Sequence, residues 1–251
     1  MSGHNKWSTI KRKKGVADAK RGQIFTRLAR EIAIAAREGG SEIESNFKLR
    51  LAVERARSDN MPKDNIERAI KRGTGDDKSG LAIERITYEG YASNGIAVLV
   101  DCLTENKNRT LSEIRHILTR CGGNMAEVGS VSWQFKHVCY FSIPTESANF
   151  DKVFELAVES GADDITNNGE YIEIIGPVDN YKEISDRLKE AGFEPDESDL
   201  RFLPKQEIGL ETDKTLKVMQ VIESLEELDD IQSVYSNLEI SEEALAALES
   251  E

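Results

Sequence analysis

The apolar positions of this chain recur in two different periods, and the change between them falls near residue 80. From Ile24 onward, Phe25, Leu28, Ile32 and Ala35 return at steps of three and four, which predicts a helix over about Asp18 to Glu38. Gly39-Gly40 ends it as a left-handed cap would. At 100° per residue, Lys20, Arg27, Arg30 and Arg37 fall roughly opposite the apolar set, as a stripe. Leu49, Ala52, Val53 and Ala56 predict a second helix near Asn46–Arg57. A third opens at Pro62, a good first-turn residue, turns Ile66, Ala69 and Ile70 inward, and stops at Gly73. Residues 1–75 therefore read as a three-helix bundle preceded by an arm, residues 1–15, that has no apolar period.

Beyond the polar, glycine-rich stretch Gly73–Gly80, read as a linker, the period shortens to that of strands. Ile83–Tyr91 and Ile96–Leu103 predict a hairpin turning at Ser93-Asn94-Gly95. Thr110–Cys121 predicts a helix with Leu111, Ile114, Ile117 and Leu118 on one face and Gly122-Gly123 as its cap; Val131–Phe135 predicts a short strand. Residues 138–205 then run strand, helix, strand, strand, helix, strand. The strands are Val138–Ile143, Asp163–Thr166, Tyr171–Ile175 and Asp199–Leu203, and the helices Phe150–Ser160 and Asn180–Ala191. The order βαββαβ is that of ferredoxin-like folds. A last helix, Lys214–Leu228, and strand, Ile231–Tyr235, have no partner of their own and are assigned to the sheet of residues 83–136. The predicted fold class is multidomain α+β: a basic helical domain (1–75), an α+β domain (81–137 plus 206–240), and a ferredoxin-like domain (138–205) inserted into it. The acidic tail Glu242–Glu251 is expected to fray.

Charge adds what periodicity does not. The 251 residues carry a net charge of −13, but residues 1–75 hold 18 Lys and Arg against 9 Asp and Glu, and the remainder holds 15 against 37. One end is thus a polycation and the rest a polyanion. Binding follows local potential within roughly a Debye length, ~8–10 Å, so the basic end can take phosphate while the acidic remainder repels it. The longest apolar run, Ile96–Val100, is far short of a membrane span. The opening MSGHNKWSTIKRKK has no apolar segment of the kind a secretory signal needs. Three widely spaced cysteines, Cys102, Cys121 and Cys139, do not make a disulfide framework. The expectation is a cytoplasmic protein with no membrane contact, no targeting extension and no cofactor.

The candidate chemistry is phosphate docking. Lys6, Lys11, Arg12, Lys13, Lys14, Lys20, Arg21, Arg27 and Arg30 face one acid, Asp18, within the first thirty residues. Each phosphate neutralised releases condensed counterions. Trp7 is expected to pack and anchor the arm, with base stacking the alternative. The third helix adds Lys63, Arg68, Lys71 and Arg72, and its Asn65 and arginines are residue types that read base edges. Other chemistries find no support. Gly73–Ser79 lacks the Gly before Lys-Ser that a phosphate loop needs, since Asp77 stands there. His4, His116 and His137 with the cysteines give no metal-ligand spacing. His116 and Cys121 lack a third orienting group for a nucleophile. An enzyme would require Glu105, Arg109 and His116 to converge on one pocket. The loop TENKNRT (104–110) is read as cap chemistry with Asn108 or Thr110 as N-cap. The ferredoxin-like unit lacks the stacking aromatics of RNA-recognition modules and is acidic, which suits protein contact or spacing.

The segments GHNKWSTIKRKK, DAKRGQIFTRLAREIAIAAREGG, NMPKDNIERAIKRG, YEGYASNGIAVLVDCLTENKNRT, IRHILTRCGGN and GSVSWQF closely resemble the YebC family across residues 1–136; beyond 137 mainly the element order fits. Arg12 stands where the family more often has His, a change that keeps positive charge. The resemblance implies three domains with the ferredoxin-like one inserted, a cytoplasmic location in bacteria and no catalysis. It implies a DNA-binding transcriptional regulator, or, by way of a mitochondrial translational activator in the family, a ribosome-associated factor on ribosomal RNA that relieves stalling. A protein-scaffold adaptor is the third possibility. The expected partners are duplex DNA or ribosomal RNA, with ribosomal or other proteins met through the acidic domains, and no small-molecule substrate. Replacing Lys11, Arg12, Lys13 and Lys14 by Ala should lower the slope of log affinity against log salt on duplex DNA by about 3–4 units. Titrations between 50 and about 200 mM salt read it; an unchanged slope would take the arm off the phosphates.

Overall fold

The computed structural model describes residues 18–75 and 83–249, with side chains from Gly22 to Thr74 and from Ile83 to Ala247. Three helices open it: α1 (Asp18–Gly39), α2 (Phe47–Ser58) and α3 (Lys63–Gly73). One buried side chain joins the first two. Asn46 Oδ1 accepts from Leu49 N at 3.1 Å and so caps α2, while its Nδ2 donates to Ala35 O at 2.7 Å and Gly40 O at 2.8 Å, closing the end of α1. Gly40, at φ +88°, turns the chain out of α1. Helix α3 ends at Gly73, as expected. A Cβ there would lie 2.2 Å from Ala33 O, so its absence lets α3 lie directly on α1.

Helix α1 is buried on two sides. Leu28, Ile32, Ala35 and Ala36 meet Leu49, Val53, Ile66 and Ala69 inside the bundle. Ala33 and Ile34 turn the other way, onto Ile83 and Leu103. The run Ile32–Ala36 is apolar all round because it serves both contacts.

The sheet it meets has the order β3-β1-β2-β9, built from β1 (Glu84–Tyr91), β2 (Ala97–Thr104), β3 (Asn124–Met125) and β9 (Ile231–Ser236), all antiparallel. Asn94 (φ 61°) and Gly95 (φ 76°) make the tight turn between β1 and β2. Strand β2 is buried on both faces. Val98, Val100 and Cys102 pack under α4 (Lys107–Arg120), α7 (Thr212–Glu226) and α8 (Glu242–Glu249), while Leu103 faces α1. Strand β9 pairs with β2 across a long insertion, as assigned from sequence.

The chain divides into two compact units: Phe135–Lys205, and the described residues up to Gln134 and from Gln206 onward. The first contains β4 (Phe135–Pro144), α5 (Phe150–Glu159), β5 (Asp164–Asn167), β6 (Tyr171–Pro177), α6 (Tyr181–Glu190) and β7 (Glu197–Pro204). Its antiparallel sheet runs β5-β6-β4-β7, the ferredoxin-like order. In the second unit, β8 (Ile208–Gly209) and β10 (Leu238–Glu239) form a short parallel pair.

Three expectations are corrected. Val131–Phe135 is not a strand: Ser132–Gln134 is a 3-10 turn and Phe135 is the first residue of β4. Helix α4 begins at Lys107, capped by Asn106, whose Oδ1 accepts from Arg109 N at 3.1 Å; neither Asn108 nor Thr110 is the cap. The acidic tail does not fray through 249, because Ala244 and Leu245 of α8 are buried in the core and outweigh the repulsion among its acids. Leu28→Ala, which empties a buried site in the bundle, should cost ~2–5 kcal/mol in denaturant melts. A cost near zero would show that this face does not hold the helices together.

Candidate nucleic-acid interface

The cations nominated from sequence separate into three groups. Lys6, Lys11, Arg12, Lys13 and Lys14, with Trp7, lie outside the described residues, and Lys20 and Arg21 are described in backbone only. The second group faces inward. Arg27 Nη2 donates to Glu226 O and, at 3.2 Å, to Leu228 O. Arg30 Nη1 donates to Asp229 O at 2.6 Å. Arg37, farther along the stripe, stays exposed while its Nη2 donates to Ile83 O. The predicted α1 stripe is therefore not open to solvent along Arg27 and Arg30, which is a correction. The physical reason is the second buried side of α1: these guanidiniums reach the carbonyls at the end of α7, where a positive charge also offsets the helix dipole.

The third group is outward. Lys63, Arg68, Lys71 and Arg72 are exposed on α3, opposite buried Ile66 and Ala69. Lys63 pairs with Glu67 at 3.7 Å and Arg72 with Glu105 at 2.8 Å. Asp64 and Glu67 lie toward the start of α3, so positive charge gathers at its C-terminal end. Asn65 is half-buried.

Beside α1 lies a cluster that the sequence reading missed. Asp230 has a carboxylate only 2% exposed. Its Oδ2 accepts from Arg109 Nη2 at 2.6 Å, Thr110 Oγ1 at 2.7 Å and Thr104 Oγ1 at 3.0 Å. Its Oδ1 faces Arg30 Nη1 at 3.1 Å, an ion contact without hydrogen-bond alignment. Burial pushes the Asp230 carboxyl up, but the bonds from Arg109, Thr110 and Thr104 outweigh it and hold the group below the usual carboxylate range. The density of hydrogen-bonding groups in TENKNRT was the available signal; Asp230, far away in sequence, was not readable as their partner.

A second missed carboxylate orders the loop before β4. Glu89 is buried, and its oxygens accept from the backbone N–H of Gly129 at 2.7 Å, Val131 at 2.5 Å and Ser132 at 2.9 Å. Burial raises its pKa and these three donors more than reverse the effect, leaving it lowered. The loop so held exposes Val128 and Trp133.

Glu105, Arg109 and His116 do not converge. Glu105 meets Arg72, Arg109 meets Asp230, and His116 lines a groove between α4 and α7 with Arg120, Lys214 and Lys217. In the ferredoxin-like unit, Tyr140 donates to Glu173 at 3.0 Å and the Arg201 guanidinium lies 3.6 Å from the Tyr140 ring centre, paired with Asp199 and Glu197. Arg201 is held there among carboxylates, and that sheet face stays net acidic. No helix among the described residues is long and apolar enough to cross a membrane.

A helical bundle seated on an antiparallel α+β sheet, with a ferredoxin-like unit inserted before the sheet's last strand, defines a multidomain α+β protein of one particular architecture. Residues 5–76 match the TACO1/YebC protein N-terminal domain and residues 83–238 the TACO1/YebC second and third domain, and the chain belongs to this family. A protein of Geotalea uraniireducens is 48% identical over 245 residues, 98% of each chain, and one of Borrelia turicatae is 50% identical, covering 97% of this chain and 99% of its own; both are named probable transcriptional regulatory proteins. The crystal structure of a conserved hypothetical protein, Aq1575, from Aquifex aeolicus matches with a TM-score of 0.83 and 39% identity, over 91% of this chain and 94% of that one.

Depressed carboxyls set the acid response. The stability contributed by Asp230 is present above its unfolded pKa of about 4 and is lost as pH falls further, through the lower folded value. Asp230→Asn should be less stable than the parent at neutral pH, and the gap in melting temperature should narrow below about pH 4. A gap independent of pH would mean the carboxylate charge is not what the cluster stabilises.

Proposed function

We propose that this chain is a non-enzymatic regulator of gene expression that docks on the sugar-phosphate backbone of nucleic acid through its basic N-terminal segment. The observation that carries the proposal is the outward cationic face of α3, Lys63, Arg68, Lys71 and Arg72, at one end of a chain whose remainder is strongly acidic. Such a division orients the molecule, because phosphate is attracted to one end and repelled by the rest. Cations interspersed with acids on one helix suit backbone contact, which positions a protein, more than base readout. The names carried by the relatives favour transcription as the setting, and duplex DNA is the ligand we propose for it.

The test has two arms. In fluorescence titrations on duplex DNA, Lys63→Ala, Arg68→Ala and Lys71→Ala together should lower the salt slope by about 2–3 units. Arg30→Ala should leave that slope unchanged while lowering stability by about 1–3 kcal/mol, because its charge is spent on Asp229 and Asp230. In lysate sedimented through sucrose at near-physiological salt, the protein should stay at the top of the gradient. Nuclease-sensitive migration with ribosomal particles, lost in the α3 variant, would replace duplex DNA with ribosomal RNA and transcription with translation. No salt-dependent affinity for either nucleic acid would sink the proposal.

A further inference from the structure

Within the acidic part of the chain, cations converge at a groove. It lies between α4 and α7 and has a volume of about 630 Å³. Arg120 and His116 line one wall, a helical turn apart; Lys214 and Lys217 line the other. No Asp or Glu lines it, although 37 acids and only 15 Lys and Arg lie beyond residue 75. Lys214 is in the first turns of α7, where the helix dipole adds to its charge, and it pairs with Glu211 at 2.8 Å. All four side chains are exposed, so nothing in the core requires them to be together. A cluster of cations in a groove without carboxylates focuses field for an anion.

We propose that this groove is a second phosphate site, taking a stretch of the sugar-phosphate backbone of a nucleic acid. The proposal rests on the nucleic-acid reading above and extends it to a face of the α+β domain. A mononucleotide pocket encloses most of its ligand in apolar and aromatic lining. Here the groove is open to solvent and its lining has no Phe, Tyr or Trp. The α7 wall continues from Lys214 to Gln220 and Ser224, a span of about 15 Å at the rise of a helix. That length matches about four nucleotides of one strand. Exposed lysines and an arginine along an open track recognise phosphates in sequence, without selecting a base. With the α3 face, the groove gives the chain two phosphate-binding surfaces, so one duplex held at both sites gains from effective concentration.

A built-in reporter makes the test local. Cys121 is exposed on the groove lining, whereas Cys102 and Cys139 are buried. In the full-length protein, alkylation by N-ethylmaleimide, resolved by mass spectrometry, should be confined to Cys121 and should slow by at least ~5-fold with a saturating 20-base-pair duplex or RNA hairpin, by exclusion of the reagent from an occupied groove. Arg120→Ala, Lys214→Ala and Lys217→Ala together should abolish that protection and lower the salt slope by about 2–3 units. A variant of equal surface character, Lys152→Ala with Lys182→Ala in the ferredoxin-like unit, should change neither. Protection by only one of the two probes assigns the phosphates to DNA or to RNA and supports the site. Tight, salt-dependent binding with Cys121 reacting at its free rate, or with the groove variant's slope unchanged, overturns the groove and leaves the α3 reading standing. Absence of any salt-dependent binding by the parent protein overturns both.

Discussion

The carboxylate of Asp230 stands where four elements meet. It lies in the turn between α7 and β9, one residue before β9, and it takes hydrogen bonds from the end of β2 through Thr104 and from α4 through Arg109 and Thr110. Its other oxygen faces Arg30 of α1. A carboxylate so deeply buried is tolerable only when it is paired and hydrogen-bonded, and removing one partner of such a group costs far more than the pair gains over an apolar replacement. The sheet, its covering helices and the N-terminal bundle are therefore tied to one charge. Arg27 strengthens the same junction by closing the carbonyls that α7 leaves open at its end.

That junction explains why positive charge in the first seventy-five residues does two jobs. Arg27, Arg30 and Arg37 spend their planar forks on fixed carbonyls, a geometry that suits arginine and not lysine. The cations left facing outward on α3 keep acids only at the helix start or across the gap to Glu105. A count of charges overstates the docking face, because part of the basic excess is internal glue. In the acidic remainder the imbalance runs the other way, and the α4–α7 groove is conspicuous against it for having cations and no carboxylate on its walls.

Much of the architecture was legible because it is written in local periodicity. The helices of the bundle, the hairpin at Asn94-Gly95 and the βαββαβ order each follow from residues close together in the chain. The pairing of β9 with β2 followed by elimination, since that strand had no nearer partner. The candidate site was legible only on α3. Val131–Phe135 read as a strand, but the N–H groups of Val131 and Ser132, like that of Gly129 before them, are taken by Glu89, and donors held by a carboxylate are lost to a ladder. Gly73 was legible as the end of α3, but not as the place where a missing Cβ admits the Ala33 carbonyl.

What the sequence by itself determined is the longer helices and strands, the family and the separation of charge along the chain, because each is a property of composition and of spacing within about twenty residues. Only the tertiary structure decided which cations face outward. Helical phase placed Arg27 and Arg30 opposite the bundle core but could not tell that a second surface covers them there. It likewise could not bring Arg120 to Lys214 and Lys217, or Asp230 to Thr104, Arg109 and Arg30. These contacts join residues remote in the chain, and their partners are selected by how buried faces close on one another, which no local pattern records.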